Sequence, residues 1–143
     1  MLLITKPIGM NRTIWIIDDD LVSQFATRYC IEQYDEVFSI ETFENAEAGL
    51  VAASELKAKK KPLPHIIFLD LIMDNMNGWE FIDNLLLLAD GMVLPDIYVL
   101  SAFVRAKDRE IAKKHQVVSG YFDKPITRMG LNKIFTNKVP INP

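Results

Sequence analysis

The chain has 143 residues, half of them apolar, with a net charge of −3 and one cysteine. This length and apolar share suit one core, so a single domain is expected, and the mildly acidic balance offers no electrostatic footprint for nucleic acid. No apolar segment reaches the ~18–20 residues of a membrane span, and the lone Cys30 cannot form an internal disulfide, which favours a reducing, cytoplasmic compartment.

In chain order, Met1-Leu2-Leu3-Ile4-Thr5-Lys6-Pro7 lacks the long apolar region and small-residue cleavage site of a signal peptide. Residues 1–12 read as an amino-terminal extension, and Met10 is a second candidate start. A strand at 13–17 runs into Asp18-Asp19-Asp20, and Asp20 is the expected N-cap of a helix over 21–33 with Cys30 on its core side. A second strand is expected at 36–41 and a helix at 45–59, which ends in the basic run Lys57-Ala58-Lys59-Lys60-Lys61. That run reads as a solvated face complementing its own helix C-terminus. His65 opens a third strand over 65–69, and a helix follows at 79–89. Leu85-Leu86-Leu87-Leu88 exceeds what one buried stripe needs, so part is expected in the core and part exposed. A fourth strand at 96–100, a helix at 105–114 with His115 exposed at its end, a strand at 119–122 and a helix at 127–137 complete the pattern. Regular strand–helix alternation with short connections implies an α/β doubly wound parallel sheet. The domain is expected over 13–138, with a stub at 139–143 and no output domain.

The chemistry gathers where strands end. Ile66-Ile67-Phe68-Leu69 is a continuous apolar run, as expected of a strand buried on both faces, and it terminates in Asp70. In open α/β sheets, ligands bind at the carboxyl ends of strands. Asp18 and Asp19 emerge at another such end, where adjacent carboxylates repel and their desolvation is costly. A hard dication would resolve that repulsion, because Mg²⁺ takes one or two carboxylates with water and phosphate oxygens. Ser101 ends the fourth strand, and Lys124, before Pro125, follows the fifth, where its cation can balance the acids.

Asp18-Asp19, Asp70, Ser101 and Lys124-Pro125 together resemble the conserved quintet of bacterial response-regulator receiver domains. Met73, Met76 and Gly78, three, six and eight residues after Asp70, match the family's loop motif; Ala102 and the aromatic Tyr121 match its flanking positions. The resemblance implies a flavodoxin-like (βα)5 fold with strand order 2-1-3-4-5. It implies that Asp70 accepts a phosphoryl group from a histidine kinase or histidine phosphotransfer protein. Asp18, Asp19, Asp70 and the Ile72 backbone carbonyl are then expected to hold Mg²⁺, with Mn²⁺ as a substitute. Lys124 and Ser101 are expected to grip the phosphoryl oxygens, and Ser101 with Tyr121 to form the switch. Such a protein is no enzyme beyond its own phosphorylation and dephosphorylation; it switches partner binding or relays phosphate, with no direct DNA or membrane contact.

Asp74 departs from the family's frequent proline in this loop, and Ser101 replaces the commoner threonine, keeping the hydroxyl and losing a methyl. Apolar Ile72 and Phe103 are expected to limit water attack, so slow self-dephosphorylation is anticipated. The rival readings are a receiver fold kept as an unphosphorylated interaction module and a metal-dependent phosphatase with an Asp nucleophile. The first conflicts with the intact quintet. The second conflicts with a nucleophile after the third strand and with no evident cap domain. His65 and His115 lie far apart and outside any transition-metal motif.

Overall fold

The computed structural model describes residues 12–34, 38–102 and 106–135. Apart from Arg12, the expected amino-terminal extension lies outside them, as do Phe103 and the 139–143 stub. Five strand–helix units follow one another: β1 (Thr13–Ile17), α1 (Leu21–Tyr34), β2 (Ser39–Phe43), α2 (Ala46–Ala58), β3 (Ile66–Asp70), α3 (Gly78–Leu88), β4 (Asp96–Ser101), α4 (Ala106–Lys114), β5 (Val118–Asp123) and α5 (Arg128–Phe135). All strands are parallel in the order β2-β1-β3-β4-β5, as the resemblance implied.

The central strands are apolar throughout because both sheet faces are covered. Side chains alternate across a strand, so each strand feeds two cores. Ile14 and Ile16, Ile66 and Phe68, and Tyr98 and Leu100 pack on one face with Ile31 of α1 and Leu131, Ile134 and Phe135 of α5. Trp15 and Ile17, Ile67 and Leu69, and Ile97 and Val99 pack on the other with Ala53 of α2 and Phe81, Ile82 and Leu85 of α3. Leu85 is buried and Leu87 exposed, which divides the four-leucine run as expected.

One strand differs from its sequence expectation. The second occupies Ser39–Phe43 rather than 36–41, since pairing runs from Thr13 opposite Ser39 to Ile17 opposite Phe43. The later register lets the Phe43 ring meet Trp15 edge-on, with centroids 4.8 Å apart. Cross-strand aromatic contact of this kind selects register, and residues 35–37 lie outside the described set. The basic run is exposed as expected, with Lys57 in the last turn of α2. The Lys57 ammonium also donates to the Leu88 carbonyl at 2.8 Å, so its charge reaches the C-terminus of α3 as well.

The connection after β1 runs to β2 and the connection after the adjacent β3 runs the opposite way along the sheet, to β4. Such a switch point opens a crevice beyond the strand ends. Asp18 and Asp70 stand there, immediately after β1 and at the end of β3.

Candidate functional site

Asp18 follows four buried residues of β1 and is itself only 2 % exposed. Hydrogen-bond donors surround its carboxylate. The Asp20 N–H (3.0 Å) donates to Oδ1, and the Ser23 hydroxyl (2.7 Å) donates to Oδ2. Asp20 caps α1 as expected, its Oδ1 accepting from the N–H groups of Val22 and Ser23. Asp19 points into solvent, and its Oδ2 accepts the Asp74 N–H at 3.3 Å, joining the first loop to the one after β3.

Asp70 is 7 % exposed, and its Oδ1 accepts the Ile72 N–H at 3.3 Å. Lys124 lies between the two buried acids, with Nζ 2.8 Å from Asp18 Oδ2 and 3.2 Å from Asp70 Oδ2. Burial pushes the Asp70 carboxyl up to about 6; Lys124 opposes the rise, Asp18 adds to it, and the Ile72 N–H opposes it. For Lys124, burial alone would lower the pKa, but the hydrogen bond and charge of Asp18, with those of Asp70, raise it above the usual lysine value.

The loop after the acceptor is held from below. Leu71 and Met73 are buried and Met76 half-buried against the core, while Ile72 and Asp74 face solvent. Gly78 closes the loop, its N–H donating to the Leu71 carbonyl at 2.9 Å. A Cβ there would lie 2.7 Å from the Asp70 carbonyl oxygen and 2.9 Å from Leu71 Cα, so only glycine allows this approach. Asn77 then opens α3 with a reciprocal capping box to Glu80.

Ser101 is buried at the end of β4, opposite Asp123 in register, and its carbonyl accepts the Lys124 N–H at 3.0 Å. The Lys124–Pro125 peptide is cis. Tyr121 pairs with Val99, and its ring turns toward the core, 6.4 Å from Trp79 between centroids. Its hydroxyl is buried with no hydrogen-bond partner among the described residues, and burial, reinforced by Asp108, pushes its pKa up to about 12.

Asp18, Asp19 and Asp70 each offer a carboxylate oxygen within 4.8 Å of the other two. Three anionic oxygens and no nitrogen or sulfur form a donor set that fits a hard dication. The structure therefore brings together Asp18, Asp19, Asp70 and Lys124, with Ser101 tied to Lys124 through its backbone. Tyr121 stands apart on the α4 side.

Several participants were not read from the sequence. Ser23 holds Asp18, and Gln24 Nε2 donates to the carbonyls of Asp18 and Phe43 at 3.2 Å each, tying α1 to two strand ends. Their signal is only a polar pair in a first helical turn. The outer face of α1 leaves Leu21, Val22, Phe25 and Tyr29 exposed, with the Phe25 and Tyr29 rings stacked. His115 is corrected from exposed to half-buried. It packs 4.9 Å from Trp79 between ring centroids, its Nδ1 meets the Ile111 carbonyl at 3.0 Å, and its Nε2 meets Asp83 Oδ1 at 2.9 Å. Trp79 Nε1 in turn donates to buried Asp108 at 3.4 Å, so α3 and α4 meet through a polar contact that periodicity could not reveal.

Solved structures share this architecture. A two-component response regulator from Cytophaga hutchinsonii matches with a TM-score of 0.76 at 26 % identity, over 88 % of this chain and 95 % of that one. A response regulator from Legionella pneumophila matches with a TM-score of 0.71 at 24 % identity, over 88 % and 96 %. A CheY-like receiver domain protein from Methanospirillum hungatei matches with a TM-score of 0.69 at 19 % identity, over 89 % and 92 %. Among curated sequences, a Leptolyngbya boryana protein named an uncharacterized 14.6 kDa protein in the sodA1 3′ region is 28 % identical over 121 residues, 85 % of each chain. The family model for the response regulator receiver domain matches residues 14–136, a span that carries both buried acids, the lysine between them and all five strand–helix units, and the chain belongs to that family.

Proposed function

We propose that this receiver domain is a phosphoacceptor signalling module in which Asp70 takes a phosphoryl group from a histidine kinase or histidine phosphotransfer protein. The observation that carries the reading is the placement of Asp70: buried, beside a second buried carboxylate, and balanced by the single ammonium of Lys124. Burying two carboxylates that share the Lys124 ammonium costs stability, and the burial serves a chemical purpose if both acids work on one ligand.

Asp18, Asp19 and Asp70, with the Ile72 carbonyl by family resemblance, would hold Mg²⁺, or Mn²⁺ in its place. When bound, the metal supplies positive charge that offsets the acids and the incoming phosphate. An Asp70 carboxylate oxygen attacks phosphorus, and the bond from phosphorus to the donor's imidazole nitrogen breaks with its electron pair leaving on nitrogen. Lys124 holds one phosphoryl oxygen through its charge, and the Ser101 hydroxyl donates to another. Movement of Ser101 toward the phosphoryl group alters the wall beside Tyr121, so the state of Asp70 is read at the surface of α4, β5 and α5. The reading includes a cytoplasmic location and no direct DNA contact, supported by the lone cysteine and the mildly acidic balance.

The exposed face of α1 supports a protein donor. Val22 is 79 % and Phe25 69 % exposed, in the helix that starts directly after the acidic loop. Exposed apolar clusters of this kind mark contact sites.

Intact-protein mass after incubation with a small-molecule phosphodonor and Mg²⁺ tests the assignment. A gain of about 80 Da, the mass of one phosphoryl group, is expected only with metal and is absent in Asp70→Asn. An unchanged mass with both small-molecule and histidine-kinase donors would leave a receiver fold used for binding alone. With Ile72 outward beside the acceptor, the phosphorylated form is expected to persist for minutes; loss within seconds would refute slow self-dephosphorylation.

A further inference from the structure

The opposite end of the sheet holds a second concavity that phosphorylation chemistry does not use. A cavity of about 850 Å³ opens where β1, β3 and β4 begin, bounded by the end of α2 and by the segments leading into β3 and β4. Five-residue strands at about 3.3 Å per residue put it about 16 Å from the acidic site. Its volume is within the range of small-molecule sites.

The lining has two chemical parts. Leu63, Met92, Val93 and Leu94 make aliphatic walls, and the Val93 side chain is 88 % exposed at the rim. Around them stand Arg12, Lys57, Lys60 and Lys61, four of the chain's 16 Lys and Arg residues, in a protein whose net charge is −3. His65 adds a fifth donor. Its Nδ1 accepts the Thr13 N–H at 3.0 Å, which leaves Nε2 as the donor of the neutral ring. Asp96, already partnered, is the one acid among the described lining residues.

That inventory selects a ligand class. Donors without free acceptors suit an oxygen anion, and ammonium groups on flexible stems grip it as point charges. Aliphatic walls suit an aliphatic body. A nucleobase is disfavoured, because the described lining residues carry no aromatic ring other than that of His65 on which it would stack. Lys57 already gives one N–H to Leu88, which fixes its stem at the rim and leaves two donors.

We propose that this cavity binds a small amphiphilic anion, a carboxylate or phosphate monoester carried on an aliphatic body. The reading is independent of Asp70, so phosphorylation serves as a control for an intact fold.

Titration of the full chain with octyl phosphate, followed by NMR of the Leu63, Met92 and Leu94 methyl groups, tests it. Saturable shifts with a Kd below about 1 mM are expected, with octyl glucoside and inorganic phosphate each weaker by about tenfold or more. The double variant Lys60→Glu/Lys61→Glu and the separate variant Val93→Asp should each weaken binding by about tenfold, with Tm and Mg²⁺-dependent phosphorylation unchanged. Lys60, Lys61 and Val93 are exposed, so neither variant threatens the core. Equal affinity for octyl glucoside, unaltered affinity in both variants, or absence of saturable binding overturns the proposal. Sedimentation with phosphatidylcholine–phosphatidylglycerol vesicles without octyl phosphate binding would assign the face to a membrane surface instead. Binding that arises only after deletion of residues 1–11 would assign the cavity to the chain's own amino-terminal segment; either result also overturns it.

Discussion

Tyr121 keeps its hydroxyl buried without a hydrogen-bond partner among the described residues, at a cost in the unphosphorylated state. Tyr121→Phe removes the orphaned group and leaves the ring against Trp79, so urea denaturation should show a gain of up to about 1 kcal/mol; a loss of that size would mean the hydroxyl is satisfied. Asp70 pays a related cost through its charge. Its folded pKa of about 6 lies above the ordinary carboxylate value, so between pH 4 and 6 the folded chain holds a proton the unfolded chain has released. Stability therefore falls as pH rises through that window, and the full cost persists above it. Without metal, Asp70→Asn should melt a few degrees higher than the parent near pH 7.5, and the difference should vanish below about pH 4. Added Mg²⁺ should raise the parent's Tm and leave the variant's gain smaller. A variant that melts lower at neutral pH would contradict the desolvation argument.

At the scale of elements, the acceptor loop depends on a close approach between α3 and the end of β3. Gly78→Ala forces a methyl against the Asp70 carbonyl oxygen and Leu71 Cα, both backbone atoms that yield only if the loop moves. A loss of about 1–3 kcal/mol is expected, together with slower Mg²⁺-dependent phosphorylation in the intact-mass assay. Unchanged stability would show that the loop has room the structure does not reveal. The helix beyond is joined to α4 by the contacts of Trp79 with Asp108 and His115, and of His115 with Asp83. Tyr121 touches the same tryptophan, so the α3–α4 junction and the switch aromatic share one packing unit.

Across the whole molecule, the sheet separates two ends with opposite chemistry: paired acids where the strands finish and a basic-rimmed apolar cavity where they start. The exposed stripe on α1 lies beside the acidic end. Phe25→Ala should slow transfer from a protein donor by about tenfold while leaving the small-molecule donor rate and Tm unchanged. Equal slowing with both donors would place Phe25 in the chemistry or in the fold rather than in docking.

The five strand–helix units were legible from the chain itself, because each central strand is an unbroken apolar run and each ends at a polar residue. Asp18, Asp19, Asp70, Ser101 and Lys124 were legible as candidates for the same reason: their positions at strand ends follow from local order. Element boundaries at the edge of the sheet were less so; β2 began three residues later than expected, since its register is chosen by contact between Phe43 and Trp15 across strands. The Lys124 ammonium between two buried acids, the half-burial of His115 and the orphaned Tyr121 hydroxyl belong to the tertiary structure alone. So does the cavity, whose lining is drawn from Arg12, from the segment that leads into β3 and from the segment that leads into β4. Periodicity reports which way a side chain faces within its own element. Burial, pKa and pairing depend on the charges and volumes that other elements bring, and those are decided only when the chain closes on itself.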